Sequence, residues 1–212
     1  MRITADAKRA THERILEAAH RLFCAQGFEP TTTRDISREA EIATGTLFNY
    51  FASKEAIAAR LVAEALEQAL EDFKRKRRPG AALDEDLFLL ISAGLRRLRR
   101  NRKYLPPAIQ SIFHPSLRGA ANRGAEELRI SHLEAAGRLF AEHGLAHELS
   151  PLDTQLYWTL YSGVLAFWST DSSPRQEDTL ALLDQSLRMF VDFLHAKLGG
   201  SPPTARHTST GG

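Results

Sequence analysis

At 212 residues, with 43% hydrophobic and 25% charged side chains, the chain can bury a substantial core and has the balance of an ordinary soluble globular protein. A formal net charge of +2, with nine Lys or Arg against eight Asp or Glu in residues 1–60, excludes DNA binding by bulk attraction and demands locally placed charges. The single cysteine, Cys24, excludes an intrachain disulfide or a cysteine metal cluster; with no signal-peptide pattern, this leads us to expect a cytoplasmic location.

In chain order, Ile15, Ala19, Leu22 and Phe23 recur at i, i+4, i+7 and i+8, the stripe of an amphipathic helix. Gly27 sits where a left-handed helix end is wanted, Phe28 can fold back on the last turn, and Pro30 keeps the chain extended. Thr32 with Asp35 three residues later has the form of a capping box, opening a helix from Thr33 to Ala40 that buries Ile36 and Ala40. Glu41-Ile42 makes the turn, and Ala43 to Asn49 forms the next helix with Leu47 inward. Ser53 is a fresh N-cap with Glu55 in the first turn. The helix it opens meets no breaker until Arg77-Arg78-Pro79-Gly80.

The remainder is also helical. Leu87 to Leu98 is densely apolar, and Pro106-Pro107 starts a short helix through about Phe113. Ser116 to about His143 follows, ended by Gly144; Ser150-Pro151 caps a helix to about Ser169, and Arg175 to Leu198 is the last. No period-two alternation bounded by turn residues is present, so the fold class is all-α. The tail, 199–212, has nothing to bury and is expected to be disordered. The most apolar run, Leu156 to Trp168, is 13 residues and too short to span a bilayer, so no membrane association is expected.

The motifs ILEAAHRLF at 15–23, GF at 27–28, TTTRDI at 31–36, TGTLFNYF at 44–51 and SKEA at 53–56 come in an order and spacing that resembles the DNA-binding domain of the TetR family of transcriptional regulators. The resemblance implies a helix-turn-helix DNA-binding domain over 9–69, with the helix-turn-helix itself at about 32–51. It further implies a helical-bundle ligand-binding and dimerisation domain over 81–198. The chemistry agrees with it. Backbone N–H groups at a helix start bind anions, so the Thr-capped N-terminus suits a phosphate, with Thr32 and Thr33 adding hydroxyls and Arg34 reaching a phosphate or a base edge. Thr44, Gly45 and Thr46 are small enough to bring the backbone close to base edges, and a Thr offers both a methyl and a hydroxyl to them. Asn49 can bond a base edge or a phosphate. Tyr50 and Lys54 resemble the family's phosphate contacts, which fix register while base contacts specify. Phe48 has two readings, facing the DNA backbone or bracing the second helix, of which bracing is favoured. Glu41 departs from the glycine most frequent in the family's turn, and a positive φ there costs a non-glycine residue about 1 kcal/mol.

In the C-terminal half the aromatics are mostly core, but the family resemblance implies a cavity between helices, with Tyr104, Phe113, Trp158 and Tyr161 as candidate lining residues. Apolar stripes at Leu160 and Val164, then Leu183, Leu187 and Val191, are the candidate dimer interface, as the resemblance implies a four-helix contact between two copies. His143 and His147 have a spacing that can hold a metal on a helix, but Gly144 lies between them and nothing completes a site, so no metal or other cofactor is expected. No P-loop, GxGxxG after a strand, HExxH or GxSxG is present, which argues against an enzyme. The expectation is a homodimeric repressor of a palindromic double-stranded DNA operator, released by an unknown small apolar or amphipathic effector. The alternative, favoured locally by Glu41, is a helical ligand-binding or adaptor protein that has lost specific DNA binding.

Overall fold

The computed structural model describes residues 5–102, 120–145 and 147–199, and among them every regular element is helical, as expected. The elements are α1 (Ala5–Gln26), α2 (Thr33–Glu39), α3 (Thr44–Phe48), α4 (Lys54–Lys76), α5 (Leu83–Leu98), a 3₁₀ turn (Arg99–Asn101), α6 (Ala120–Glu142), α7 (Pro151–Thr170), a second 3₁₀ turn (Pro174–Gln176) and α8 (Glu177–Lys197). The expected short helix at 106–113, the start of the next at Ser116, and the tail 200–212 lie outside the described residues. None of the described helices is long and apolar enough to cross a membrane.

Two apolar cores share α4. Ile15, Ala19 and Phe23 of α1, Ile36 of α2, Leu47 of α3 and Ile57 of α4 are completely buried together. From Val62 onward α4 instead joins the larger core of α5 to α8, built around Leu87, Ile91, Tyr157, Trp168, Leu183 and Leu187. The helix runs unbroken across the change because it contains neither Gly nor Pro, and Arg60 bonds Glu64 one turn on at 3.0 Å. A displacement at its C-terminal end is therefore carried to its start.

Polar joints fix the ends of these helices. At the end of α4, Arg77 forks onto both oxygens of the buried Asp86 of α5, at 2.9 and 2.6 Å, and also pairs with Glu142 at the end of α6. His143 Nε2 lies 2.9 Å from the same Asp86 carboxylate, so one of the two histidines at metal-like spacing is committed to this joint. The 3₁₀ turn after α5 touches both halves of the molecule: Cys24 Sγ of α1 donates to the Arg100 carbonyl at 3.6 Å, and Arg102 donates to the Ser169 and Asp171 carbonyls at the end of α7.

The last helix starts later than its sequence suggests. Arg175 and Gln176 have φ of 53° and 61°, outside helical space. Asp171 accounts for the delay: its carboxylate accepts from the Thr179 amide at 3.0 Å and the Thr179 hydroxyl at 2.5 Å, so the first turn of α8 is capped from eight residues upstream. These bonds hold the Asp171 carboxyl well below the usual carboxylate range.

Candidate DNA interface and effector cavity

The DNA-facing surface is built from the end of α1 outward. Gly27, with φ of 94°, ends the helix and lets Phe28 pack on Phe23 at 5.1 Å between ring centroids. Thr31, fully buried, donates to the Gly27 carbonyl at 2.7 Å and fixes the approach to α2. The capping box is complete: Thr32 Oγ1 accepts from the Asp35 amide at 3.1 Å and donates to Asp35 Oδ2 at 2.6 Å, and the Thr32 amide donates to the same carboxylate oxygen.

That closure changes the expected role of Thr32. Its hydroxyl and amide are both consumed by Asp35, so it shapes the helix start rather than offering a free donor to phosphate. Asp35, held below its ordinary pKa by those Thr32 bonds, adds negative charge at the same place. The cation available to an incoming phosphate on α2 is Arg34, exposed on the surface, whereas Arg38 pairs with Asp35 and Arg21 with Glu39. Thr33 is half-buried beside it.

Between α2 and α3 the turn closes normally on Glu41. Its φ is 55°, the left-handed value, yet its amide bonds the Arg38 carbonyl at 3.1 Å and the Ile42 amide bonds Ser37 at 2.9 Å. The local feature that favoured loss of DNA binding therefore leaves the helix pair intact. Ser37 also meets Thr44, their hydroxyl oxygens 2.9 Å apart, so Thr44 locks α3 onto α2 while Gly45, Thr46 and Asn49 remain exposed or half-exposed. A Cβ added to Gly45 would meet nothing within 4 Å. Phe48 is not a brace: Leu47 fills the core at 0% exposure, and Phe48 stands 52% exposed on the outer face. Tyr50 packs at the edge of the core near His12, at 6.5 Å.

Lys54 also departs from expectation. Its ammonium donates to the Phe28 and Glu29 carbonyls at 2.9 and 3.0 Å and lies 4.5 Å from the Phe28 ring centroid, with the side chain 19% exposed. A lysine held by two carbonyls ties the start of α4 to the loop before α2 and sets where the helix pair sits.

A cavity of about 490 Å³ lies against α4, enclosed by α5, α6 and α7. One wall is made of small residues: Ala56, Ala59 and Ala63 share one face of α4 and Ala52 lies just before the helix; Leu66, Leu70, Leu90, Ile91 and Leu128 supply the apolar remainder. The polar groups at its boundary are Arg60, Glu67, Glu127, Ser131, His132 and Tyr161. Of the aromatics expected to line it, Tyr161 does so. Trp158 is 8% exposed and reaches the site through His132, their rings 6.3 Å apart; Tyr104 and Phe113 lie outside the described residues. Burial pushes the His132 imidazole down to about 3 and the Tyr161 phenol up, so both are neutral at ordinary pH.

A family description for bacterial regulatory proteins of the tetR type matches residues 15–61, which run from α1 across the helix pair into α4. Over these residues the chain carries the DNA-binding domain of the TetR family. Among similar proteins, the HTH-type transcriptional regulator YfiR of Bacillus subtilis is 33% identical over 141 residues, covering 66% of this chain and 65% of that protein. The repressor KstR of Rhodococcus jostii is 27% identical over 139 residues, covering 66% of this chain and 62% of its own. The match thus spans less than two thirds of either relative. The TetR-family repressor FadR of Thermus thermophilus, solved with lauroyl-CoA, shares the fold with a TM-score of 0.69 at 23% identity, over 85% of this chain and 93% of its own.

The apolar stripes expected at a TetR-family dimer contact are mostly internal. Val164, Leu183, Leu187 and Val191 are at most 5% exposed in the chain's own core, and Leu160 packs against that core. The outer faces of α7 and α8 carry a different set: Leu152, Leu156 and Phe167, then Leu182, Met189 and Phe193, from 38% to 79% exposed. Sequence spacing did not separate the two because both helices carry apolar residues on opposite sides, and a stripe does not say which side is inward. His132 was missed for a related reason: a lone His on a helix carries no motif. The Ala56-Ala59-Ala63 stripe was the legible trace of the cavity.

Proposed function

We propose that this chain is a homodimeric, DNA-binding transcriptional regulator whose operator affinity is set by a small apolar or amphipathic molecule in the α4 cavity. The observation that carries the reading is the position of the cavity wall. It begins at Ala52, four residues beyond the end of α3, and continues along α4 past Ala63, while Ile57 and Ala58 of the same helix stay in the core of the N-terminal helices. Filling the cavity and orienting the recognition helix α3 are thus two demands on one rigid rod. An effector shifts the equilibrium only by its unequal affinity for the two orientations. Two copies, joined through the exposed faces of α7 and α8, would place two α3 helices in successive major grooves of a palindrome about one helical turn apart. The lauroyl-CoA of the Thermus protein makes acyl compounds, an apolar chain ending in a carbonyl, the first effector class to try.

The test is equilibrium binding to a palindrome from the protein's own promoter region, over a range of salt. Tight, sequence-selective binding that weakens when an effector is added is expected. Equal affinity for a scrambled duplex at every salt concentration defeats the reading.

A further inference from the structure

We infer that the α4 cavity selects an uncharged ligand bearing a hydrogen-bond acceptor, such as a ketone or ester carbonyl, which takes the Nδ1–H of His132. The inference rests on reading the cavity as the effector site.

The argument starts from a buried phenol. Tyr157 is 0% exposed, and among the described residues its hydroxyl has one hydrogen-bond partner, His132 Nε2, at 2.9 Å. If His132 donated, the phenolic proton would be buried without an acceptor, and a buried unsatisfied donor is costly. The Tyr157 hydroxyl therefore donates and Nε2 accepts. A neutral imidazole carries one proton, so it resides on Nδ1.

The ring is also held in place. It stacks on Tyr161 with centroids 3.7 Å apart and planes within 6°, and lies parallel to Tyr157 at 5.8 Å. No described group accepts from Nδ1, and His132 forms part of the cavity wall. His132 is thus a fixed donor on a wall whose remainder is mostly apolar, with Arg60, Glu67, Glu127, Ser131 and Tyr161 at its boundary. That charged boundary argues against an anion. Arg60 is answered by Glu64 at 3.0 Å and Glu67 at 3.1 Å, so a carboxylate ligand would find no uncommitted cation there and would meet Glu127. An ammonium ligand brings no acceptor for Nδ1–H.

The experiment titrates the full-length protein with nonan-2-one, nonane, nonanoate and nonylammonium, following tryptophan fluorescence, because Trp158 packs against His132. The ketone is expected to bind about tenfold more tightly than the hydrocarbon, the net worth of one hydrogen bond, and more tightly than either ion. His132→Phe alone would strand the Tyr157 hydroxyl, so the decisive variant is the pair His132→Phe with Tyr157→Phe, which keeps the rings and leaves no orphan. In that variant nonane affinity should hold while the ketone preference disappears. A ketone preference absent in the wild type, surviving in the double variant, or matched by either ion overturns the inference while leaving the cavity as a binding site. Failure of all four probes to bind removes the effector-site reading itself, and the inference with it.

Discussion

Glu41 and Gly45 sit four residues apart and break opposite rules. Glu41 holds a left-handed φ of 55° without being glycine, although the turn around it is fully bonded. Glu41→Gly should relieve that strain and raise unfolding free energy by about 1 kcal/mol in chemical denaturation, with operator affinity retained. Gly45 is a glycine in a helix where a Cβ would touch nothing. Gly45→Ala should leave stability unchanged or slightly higher, since Ala is the better helix former by about 1 kcal/mol, yet weaken operator binding in a mobility-shift titration. Unchanged DNA affinity would mean that α3 does not bring its backbone against the bases. The two variants separate a cost imposed by the turn from one imposed by DNA.

At the scale of elements, the joint at the end of α4 concentrates the most charge in the least water. Asp86 is 1% exposed, and burial alone would raise its pKa; bonds from Arg77 and His143 outweigh that and leave it below the ordinary carboxylate range. A carboxyl depressed in the folded state contributes stability that is present above its unfolded pKa, about 3.9, and is lost as pH falls through the lower folded value. Asp86→Ala, which leaves the Arg77 guanidinium with Glu142 and removes its buried partner, should cost about 2–4 kcal/mol near neutral pH, discounted for the partial exposure of Arg77. That cost should shrink in strong acid, as urea melts at pH 7 and at pH 3 would show. A difference that stays constant with pH would assign the loss to packing. The cap of α2, the unbroken α4 and the order of the helices were legible in sequence because each depends on neighbours within four residues. Lys54, Asp86 and His132 were not, since Lys54 and His132 bond groups at least 25 residues away, Asp86 bonds groups 9 and 57 away, and no local pattern announces them. The late start of α8 was hidden likewise, its cap being Asp171 rather than a residue beside it.

For the whole molecule, the exposed set on α7 and α8 is where assembly should be tested. Met189→Glu places a charge in the middle of the proposed contact, at a position 62% exposed in the single chain. It should therefore spare the fold, shift sedimentation from dimer to monomer, and abolish binding to a two-site operator while leaving the weak binding of one head to a half-site. A variant that stays dimeric would place the contact elsewhere. The turn at Arg99–Asn101 has a mechanical consequence for such an assembly. Among the described residues the N-terminal head meets the bundle along α4 and again where Cys24 meets the Arg100 carbonyl, and that second attachment is itself pinned to the end of α7 by Arg102. A body held at two points turns about the line joining them. Whatever occupies the cavity, the two heads of a dimer would swing like a pair of doors, each on one axis.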